Sequence, residues 1–210
     1  MVDWTEFVKF IVALVAMVDP IGSLPIFMGM TRHLSGAETR QASRLAAITV
    51  ATVLILALIG GDSVLRFFGI SFASFRVAGG IILLLVAFAM LNARPSPVRQ
   101  TEAEMQDAEG KQSVGVVPLG IPLLAGPGAI ATVILYAPRP VSVQHDAWLA
   151  GGILLVALLI WVCFSSAPWL MRMLGNTGIN ISTRIMGLII AAIGVEFMAG
   201  GLRQLFPGLG

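Results

Sequence analysis

Long apolar stretches alternate with short polar ones along the 210 residues of this chain. Most of the apolar stretches approach about 20 residues, the length that an α-helix needs to cross the hydrocarbon core of a bilayer. The pattern predicts six transmembrane helices, at residues 4–30, 45–59, 72–91, 114–136, 147–168 and 185–206. We therefore expect an all-α membrane protein with both termini on the same side of the membrane.

Two of the six segments contain residues that interrupt a helix. In the first segment, residues 17–25 read MVDPIGSLP, with a carboxylate, a glycine and two prolines. In the fourth, residues 118–128 read PLGIPLLAGPG. Non-helical backbone is tolerated at membrane depth only where it is buried in protein or lines a cavity. Helices 1 and 4 are therefore predicted to be discontinuous, and Asp19, an ionisable residue at such a break, indicates a functional site.

An internal repeat relates the two halves of the chain. Residues 74–84 align with residues 182–192 at an offset of 108, and Pro20 falls on Pro127 at an offset of 107. Three crossings per half is an odd number, so the second half enters the membrane in the opposite sense. Two inverted three-helix repeats are typical of alternating-access transporters, which hold the substrate near the midplane of the membrane.

The same repeat divides the chain into a first half at residues 1–91 and a second half at residues 114–210, joined by a polar linker at residues 92–113. The loops after helices 1, 3 and 5 hold eight basic residues and the opposite side holds five. Because basic residues favour the cytoplasmic side, both termini are predicted to lie outside, in the periplasm or extracellular space, and the linker in the cytoplasm. The N-terminus lacks the basic region and the cleavage site of a signal peptide, so we expect the first helix to be retained.

Composition and charge exclude some classes of function. Hydrophobic residues make up 57% of the chain and charged residues 11%, against about 25% charged residues in soluble domains. The net charge of +2 is too small to indicate a nucleic-acid partner. The environment implied by these numbers is a lipid bilayer.

The first break has the chemistry of a helix start, with Asp19 as the N-cap and Pro20 as the first helical residue. We expect a short helix to begin at Pro20 and the free amides of residues 21–23 to point into the break. Gly126-Pro127 repeats this arrangement in the second break. Two helix N-termini would then face a common space, each with about half a positive charge and unpaired donors, which suits an anion.

The two breaks differ in charge, and this difference predicts the ligand. Backbone amides at residues 126–128 would bind a carboxylate, while Asp19 and nearby carbonyls would bind an ammonium. Such a site suits a small zwitterion such as glycine or alanine. In the alternative interpretation, Asp19 is only a helix cap. The predicted substrate-binding residues are Val18, Asp19, Pro20, Ile21, Gly22, Ser23, Ala125, Gly126, Pro127 and Gly128.

Two acids lie deep within predicted crossings and are candidates for proton coupling. Asp19 is the first, because intramembrane carboxyl groups commonly serve proton relays. Glu196, in the middle of the sixth segment, is the second, and both pairing with a basic group and facing a water-filled cavity are open for it. Arg76 and Arg184 occupy equivalent positions in the two repeats, where the favoured interpretation is an anchor that extends its charge to the interface.

No enzyme is predicted, because the crossings offer no nucleophile with a base. His33 and His145 fall in loops without companions at metal-ligand spacing, so neither a metal nor a cofactor is expected. A nucleotide-binding loop of the form G-x-x-x-x-G-K-[ST] does not occur in the sequence, so ATP hydrolysis is not expected. A channel for small solutes and a membrane protein with a structural or partner-binding role are the alternatives to a transporter.

Three stretches carry a family resemblance: residues 19–27 (DPIGSLPIF), 118–130 (PLGIPLLAGPGAI) and 184–190 (RIMGLII). They resemble the MarC family of integral membrane proteins, which includes the SnatA-type transporters of small neutral amino acids and is grouped with the LysE-type exporters. The resemblance covers essentially the whole chain. It implies a multi-pass carrier of the bacterial inner membrane for glycine and alanine, with the ligand at residues 19–23 and 125–128.

Coupling to a proton or to sodium, and assembly into a homo-oligomer, are both compatible with such a carrier. The sequence departs from the family pattern at two positions. The family often has asparagine where Ser23 stands and glutamine where Glu196 stands. The side chain of Ser23 has a shorter reach toward a substrate, and Glu196 adds a titratable group to the sixth segment.

Overall fold

The computed structural model describes residues 4–92, 124–137 and 143–209. These residues contain no β-strand, which confirms the all-α prediction. The helices are α1 (Trp4–Val18), α2 (Leu24–Met30), α3 (Gly36–Phe67), α4 (Phe72–Leu91), α5 (Pro127–Tyr136), α6 (Val143–Ser165) and α7 (Ala167–Leu205), followed by a short 3-10 turn at Pro207–Leu209. The predicted linker from residue 93 onward, and the fourth segment up to residue 123, lie outside the described residues.

The bundle has the surface of a membrane protein. Within the described ranges, four helices are long and apolar enough to cross a bilayer, namely α3, α4, α6 from Gln144 onward, and α7. The outward faces carry large apolar side chains such as Phe67, Ile59 and Leu188, which are 84%, 74% and 65% exposed. Soluble monomers rarely expose continuous apolar surface, so these faces contact lipid.

Helix α3 is longer than the sequence predicts. It begins with a capping box, in which Ser35 Oγ accepts a hydrogen bond from the Glu38 amide (3.3 Å) and Glu38 Oε2 accepts one from the Ser35 amide (2.7 Å). The second segment is predicted to end at residue 59, where Gly60-Gly61-Asp62 would close it. This prediction is wrong, because α3 continues to Phe67. A β-carbon at Gly61 would lie 2.5 Å from Ile134 Cγ1, so this glycine lets α3 and α5 approach closely.

Between the fifth and sixth segments, the glycine and asparagine residues at 175–180 predict a loop, and this prediction is also wrong. Helix α7 is helical on both sides of Gly175, whose torsion angles are φ 59° and ψ 178°. Glycine adopts a left-handed φ without the steric cost that a side chain would add. The chain therefore bends at Gly175 and resumes the helix without a loop.

Helices α4 and α7 form the most extensive helix pair among the described residues. A β-carbon at Gly80 would lie 2.6 Å from the carbonyl oxygen of Gly194, and a β-carbon at Gly187 would lie 2.9 Å from Cβ of Met90. Residue numbers rise along α4 as they fall along α7, so the two helices are antiparallel. Small residues at the contact allow the backbones to approach.

Helix α1 runs parallel to α6. The ring of Phe7 lies edge-on to Trp148, with 5.6 Å between the ring centroids. Further along both helices, Phe10 Cε1 lies 3.0 Å from the position that a β-carbon of Gly152 would occupy. This packing fixes the side of α1 that does not face α5.

Helix α1 is antiparallel to α5. Phe10 contacts Tyr136 near the end of α5, with 5.4 Å between the ring centroids. Met17, near the end of α1, contacts Gly128 at the start of α5. The packing of these two helices therefore places the first break next to the second.

Candidate functional site

The first break is a turn of five residues, because α1 ends at Val18 and α2 begins at Leu24. The prediction that a new helix starts at Pro20 is wrong. Ser23 precedes α2, and its side chain makes no capping hydrogen bond. The Ser23 amide donates to the carbonyl of Asp19 (3.1 Å), and the Leu24 amide donates to the carbonyl of Ile21 (3.1 Å). These bonds close residues 19–23 into a turn instead of a helix.

Asp19 sets the geometry of this turn. Its φ of 47° is the only left-handed φ of a non-glycine residue in the described ranges, and aspartate is one of the few residues that tolerate this conformation. Its amide still donates to the Val15 carbonyl (2.9 Å), while Oδ1 accepts from the Gly22 amide (3.1 Å). The residue is 3% exposed. Asp19 therefore ends α1 and holds the turn, and it does not cap a following helix.

The first break has fewer free donors than predicted. Of the three amides at residues 21–23, those of Gly22 and Ser23 are used within the turn, and that of Ile21 has no acceptor among the described residues. The carbonyls of Ala16 and Val18, at the end of α1, accept no hydrogen bond from any residue that the structure describes. The C-terminal end of a helix carries a partial negative charge. Together with the Asp19 carboxylate, this end attracts a cation.

The second break has the opposite polarity. Helix α5 starts at Pro127, as predicted, and Gly126 before it is extended, with φ −72° and ψ 176°. The amides of Gly128 and Ala129 find no acceptor within the described part of the chain. Gly128 is buried and Pro127 is exposed. Free amides at the positive end of a helix form a site for an anion.

The two breaks lie against each other. A β-carbon at Gly128 would overlap the methyl group of Met17 and lie 3.0 Å from its Sδ. Met17 is 3% exposed, so this contact is internal. The negative end of α1 and the positive end of α5 therefore meet inside the bundle, as the sequence predicts for the two interruptions.

Thr183 of α7 reaches the first break, and the sequence analysis missed it. A β-carbon at Gly22 would overlap both Oδ2 of Asp19 and Oγ1 of Thr183. The available signal was its position within the internal repeat, where it is a hydroxyl-bearing residue between Ser182 and Arg184.

Two groups of aromatic residues flank the breaks. The Arg76 cluster, defined as Phe10, Tyr136, Phe197 and Arg76, lies on the side of the α1 N-terminus. Tyr136 and Phe197 have 5.7 Å between their ring centroids, and Arg76 Cζ lies 5.7 Å from the centroid of Phe197. Phe10 lies about 10 Å before Met17 along α1.

The Phe27 pair, defined as Phe27 and Phe164, lies on the other side of the first break. Their rings stack with 4.4 Å between centroids and an interplanar angle of 21°. Both side chains are buried, at 0% and 1% exposure. Aromatic contacts therefore bound the breaks toward both ends of the bundle.

The structure does not bring Glu196 to the breaks. Glu196 is exposed on α7, next to the buried Phe197, and it lies about 20 Å along the helix from Thr183. Arg184 is exposed as well. Arg76 is half-buried, and its guanidinium packs against Gly200, where a β-carbon would lie 2.8 Å from Cζ. These three charged residues lie outside the candidate site.

One groove of about 340 Å³ runs between α1 and α6. Only aliphatic side chains line it, and they are Ile11, Val15, Leu155, Val156, Leu158, Leu159 and Val162. It offers no polar group to a zwitterion, so we do not assign the ligand to it.

Comparison with known proteins identifies the family. Residues 4–206 match the family described as MarC family integral membrane protein. The chain is 41% identical over 207 residues to the UPF0056 membrane protein YhcE of Escherichia coli, covering 99% of this chain and 96% of that protein. It is 36% identical to the UPF0056 membrane protein YvbG of Bacillus subtilis, covering 96% of each chain.

A third relative is the UPF0056 inner membrane protein MarC of Citrobacter koseri. It is 30% identical to this chain over 208 residues, and the alignment covers 93% of each chain. No solved structure matches the sequence. The apolar helical bundle and its two breaks are consistent with the full-length similarity to these membrane proteins. The chain is a multi-pass integral membrane protein that belongs to the MarC family.

Proposed function

We propose that this chain is a secondary transporter, not an enzyme, and that it carries small neutral amino acids such as glycine and alanine across the bacterial inner membrane by alternating access. The observation that carries the proposal is the meeting of two helix ends of opposite polarity. The end of α1, with Asp19, attracts an ammonium, and the amides at the start of α5 attract a carboxylate. A zwitterion with both groups on one carbon matches this pair.

The tight packing at both breaks supports a small substrate. The space beside Gly22 is taken by Asp19 and Thr183, and the space beside Gly128 is taken by Met17. A bulky side chain on the substrate would have to displace buried groups of the protein. Glycine and alanine add the least volume.

The helix directions support six crossings in two inverted repeats. Helices α4 and α7, which correspond in the internal repeat, are antiparallel. Gly80 contacts Met198, and Gly187 contacts Met90. Met90 and Met198 are equivalent at the repeat offset of 108, so the contact pattern itself is nearly two-fold symmetric. An inverted repeat of this kind underlies alternating access in other transporters.

The aromatic groups support alternating access as well. The Arg76 cluster and the Phe27 pair lie on opposite sides of the breaks. Opening one while the other stays packed would expose the site to one side of the membrane at a time. In this proposal both termini lie in the periplasm, the linker is cytoplasmic, and Asp19 carries the coupling proton or binds a coupling sodium ion.

The experiment is exchange of labelled glycine in proteoliposomes. Unlabelled glycine inside the vesicles should accelerate uptake of labelled glycine, because a carrier with bound substrate returns to the outward-facing state faster than an empty one. Uptake that is insensitive to glycine on the far side would instead support a channel for small solutes. Absence of any glycine movement would contradict both.

Replacing Asp19 tests the charged end of the site. Asp19→Asn keeps a side chain that tolerates the left-handed φ and accepts from the Gly22 amide, but it removes the charge. We expect glycine exchange to fall at least about tenfold, because hydrogen bonds to charged groups are the strong ones, with little change in the thermal unfolding midpoint. Glu6→Gln is the matched control, since it removes one exposed carboxylate from the same helix and should leave exchange unchanged. Full activity of Asp19→Asn would mean that Asp19 only holds the turn.

A further inference from the structure

The groove between α1 and α6 lies on the outer face of the bundle, away from the two breaks' charged groups. Ile11 and Val15 form its α1 wall, and its α6 wall extends from Leu155 to Val162 and includes the buried Val156. At 1.5 Å per residue, the α6 wall is about 10 Å long. The lining side chains are all aliphatic, so the chemistry of the groove suits a hydrocarbon.

The packing of α1 against α6 explains where the groove forms. Near the start of α1, aromatic side chains fill the space between the two helices, and Phe10 lies against Gly152. Because the helices run parallel with the same rise per residue, the end of α1 at Val18 lies level with about residue 160 of α6. The groove therefore begins where shorter aliphatic side chains replace the aromatic ones, and it reaches the level of the first break.

A tryptophan lies seven residues before each wall of the groove. Trp4 precedes Ile11 on α1, and Trp148 precedes Leu155 on α6. Seven residues are about two turns, so each indole lies on the same helix face as its wall and about 10 Å nearer the helix start. Both indoles are exposed and flank Phe7, with 5.6 Å between ring centroids in each pair. Neither indole N–H donates a hydrogen bond to a residue that the structure describes.

The size of the groove favours a single hydrocarbon chain over a helix of another subunit. An α-helix is about 10–12 Å across with its side chains, so a 10 Å stretch of helix would need more than about twice the available space. That space is about 340 Å³. A chain of CH₂ groups is narrower and makes dispersion contacts along its whole length. The groove is continuous with the lipid-facing surface, which supplies such chains.

We propose that this groove binds one acyl chain of a membrane phospholipid, whose ester or phosphate oxygens accept hydrogen bonds from the indole N–H groups of Trp4 and Trp148. Tryptophan is enriched where hydrocarbon meets the headgroups, so the headgroup lies level with the two indoles and the distal CH₂ groups lie between Leu155 and Val162. Helix α1 belongs to the first half of the chain and α6 to the second, so one lipid contacts both halves. The proposal requires only that the protein lies in a membrane, and it is independent of the transported substrate.

The test is photo-crosslinking of the purified full-length protein in detergent. The probe is a limiting amount of phosphatidylcholine that carries a diazirine in its acyl chain, and mass spectrometry locates the label. In the wild type the label should concentrate between Leu155 and Val162, and not on Leu188, which is 65% exposed but lies outside the groove. Leu158→Phe, which adds a ring at the groove, should lower this label about fivefold, the effect of about ten lost carbon–carbon contacts.

Leu154→Phe is the matched control. Leu154 and Leu158 lie one turn apart on α6 and are 54% and 52% exposed, but only Leu158 lines the groove. The control should leave the label unchanged. Val15→Phe fills the groove from α1 and should lower the label as Leu158→Phe does, so it serves if that variant does not fold.

A second pair of variants tests the position of the headgroup. Trp148→Phe keeps an aromatic ring but removes the N–H donor, and it should lower the label about two- to tenfold, the range for one neutral hydrogen bond. Trp161→Phe is its control, because Trp161 is exposed on α6 outside the groove. An unchanged label in Trp148→Phe would overturn the assigned position of the headgroup.

The remaining outcomes decide the occupant of the groove. Label spread evenly over the exposed leucines would overturn the proposal, because the lipid would then act only as a solvent. Groove label that persists in both groove-filling variants would overturn it as well. If the wild type shows no groove label and Leu158→Phe converts a dimer into a monomer by light scattering, the occupant is a second copy of the chain. Groove label that falls in both groove-filling variants but not in Leu154→Phe supports the proposal, whether or not the protein transports glycine.

Discussion

The two breaks correspond in the internal repeat, yet the chain ends a helix at the first and begins a helix at the second. Pro20 follows a left-handed aspartate and lies after the end of α1. Pro127 follows an extended glycine and is the first residue of α5. A proline is compatible with both places, so the same motif produces a negative helix end in one half and a positive helix end in the other.

The comparison shows how a repeated sequence yields a site that is not symmetric. Two positive helix ends would suit a dianion, whereas one end of each sign suits a zwitterion. The difference is made by the residue before the proline, which is Asp19 in one half and Gly126 in the other. Substitutions at and around the two breaks can test this contrast.

Replacing the glycine at each break by alanine should lower the stability by different amounts. A methyl group at Gly22 would overlap the short side chains of Asp19 and Thr183, which cannot move away without leaving the break. We expect Gly22→Ala to lower the free energy of unfolding by about 2 kcal/mol or more, within the range for overpacking, and to abolish glycine exchange. At Gly128 the obstacle is the methyl end of Met17, a flexible side chain, so Gly128→Ala should cost only about 1 kcal/mol.

The double variant Met17→Ala with Gly128→Ala checks the reason for that difference. Residues in direct contact give non-additive effects. The double variant should therefore be more stable than the sum of the single variants predicts, as measured by chemical unfolding in detergent. Equal effects of Gly22→Ala and Gly128→Ala would mean that the two breaks are packed alike.

A substitution between α4 and α7 should disturb both breaks together. A β-carbon at Gly80 would lie 2.6 Å from the carbonyl oxygen of Gly194 and 3.0 Å from the amide nitrogen of Met198. Backbone atoms cannot rotate aside, so the helices must separate, and we expect Gly80→Ala to cost about 1–3 kcal/mol of stability. Gly151→Ala on α6, where no atom lies within 4 Å of the new carbon, is the matched control. A harmless Gly80→Ala would show that the α4–α7 contact is looser than described.

Pro127→Ala should have the smallest effect. At the first position of a helix the proline replaces an amide that has no intrahelical acceptor, and Pro127 is exposed. Losing the restriction that proline places on the unfolded chain should cost less than about 1 kcal/mol. The apparent KM for glycine should stay within about twofold of the wild type. A large loss would show that the ring of Pro127, and not only the free amides after it, takes part in the site.

The sequence predicts the positions of the two breaks, but it does not predict that the first break ends a helix rather than beginning one. Helix α4 occupies residues 72–91 as predicted, because an apolar run of crossing length ends at polar residues on both sides. The Asp19-Pro20 pair is compatible with a helix start and with a helix end. The structure has the helix end, since Asp19 adopts a left-handed φ and Gly22 lies against α7.

Other differences between the predictions and the structure also arise because local sequence does not report packing. Local propensity predicts that a helix breaks at Gly60, Gly61 and Gly175. In the packed membrane bundle, however, the first two lie within α3 and the third only bends α7. Thr183 was missed because its contact with Gly22 joins residues far apart in the chain. Neither helical periodicity nor residue spacing reports such a contact.

The contact between Met17 and Gly128 has a mechanical consequence. Each residue belongs to a different half of the chain, so the two halves touch at the point where their oppositely charged helix ends meet. If one half rotates against the other, the separation of those ends must change. In the proposed transporter, the affinity for a zwitterion that spans these ends would then depend on the rotation angle, and the movement itself would release the substrate.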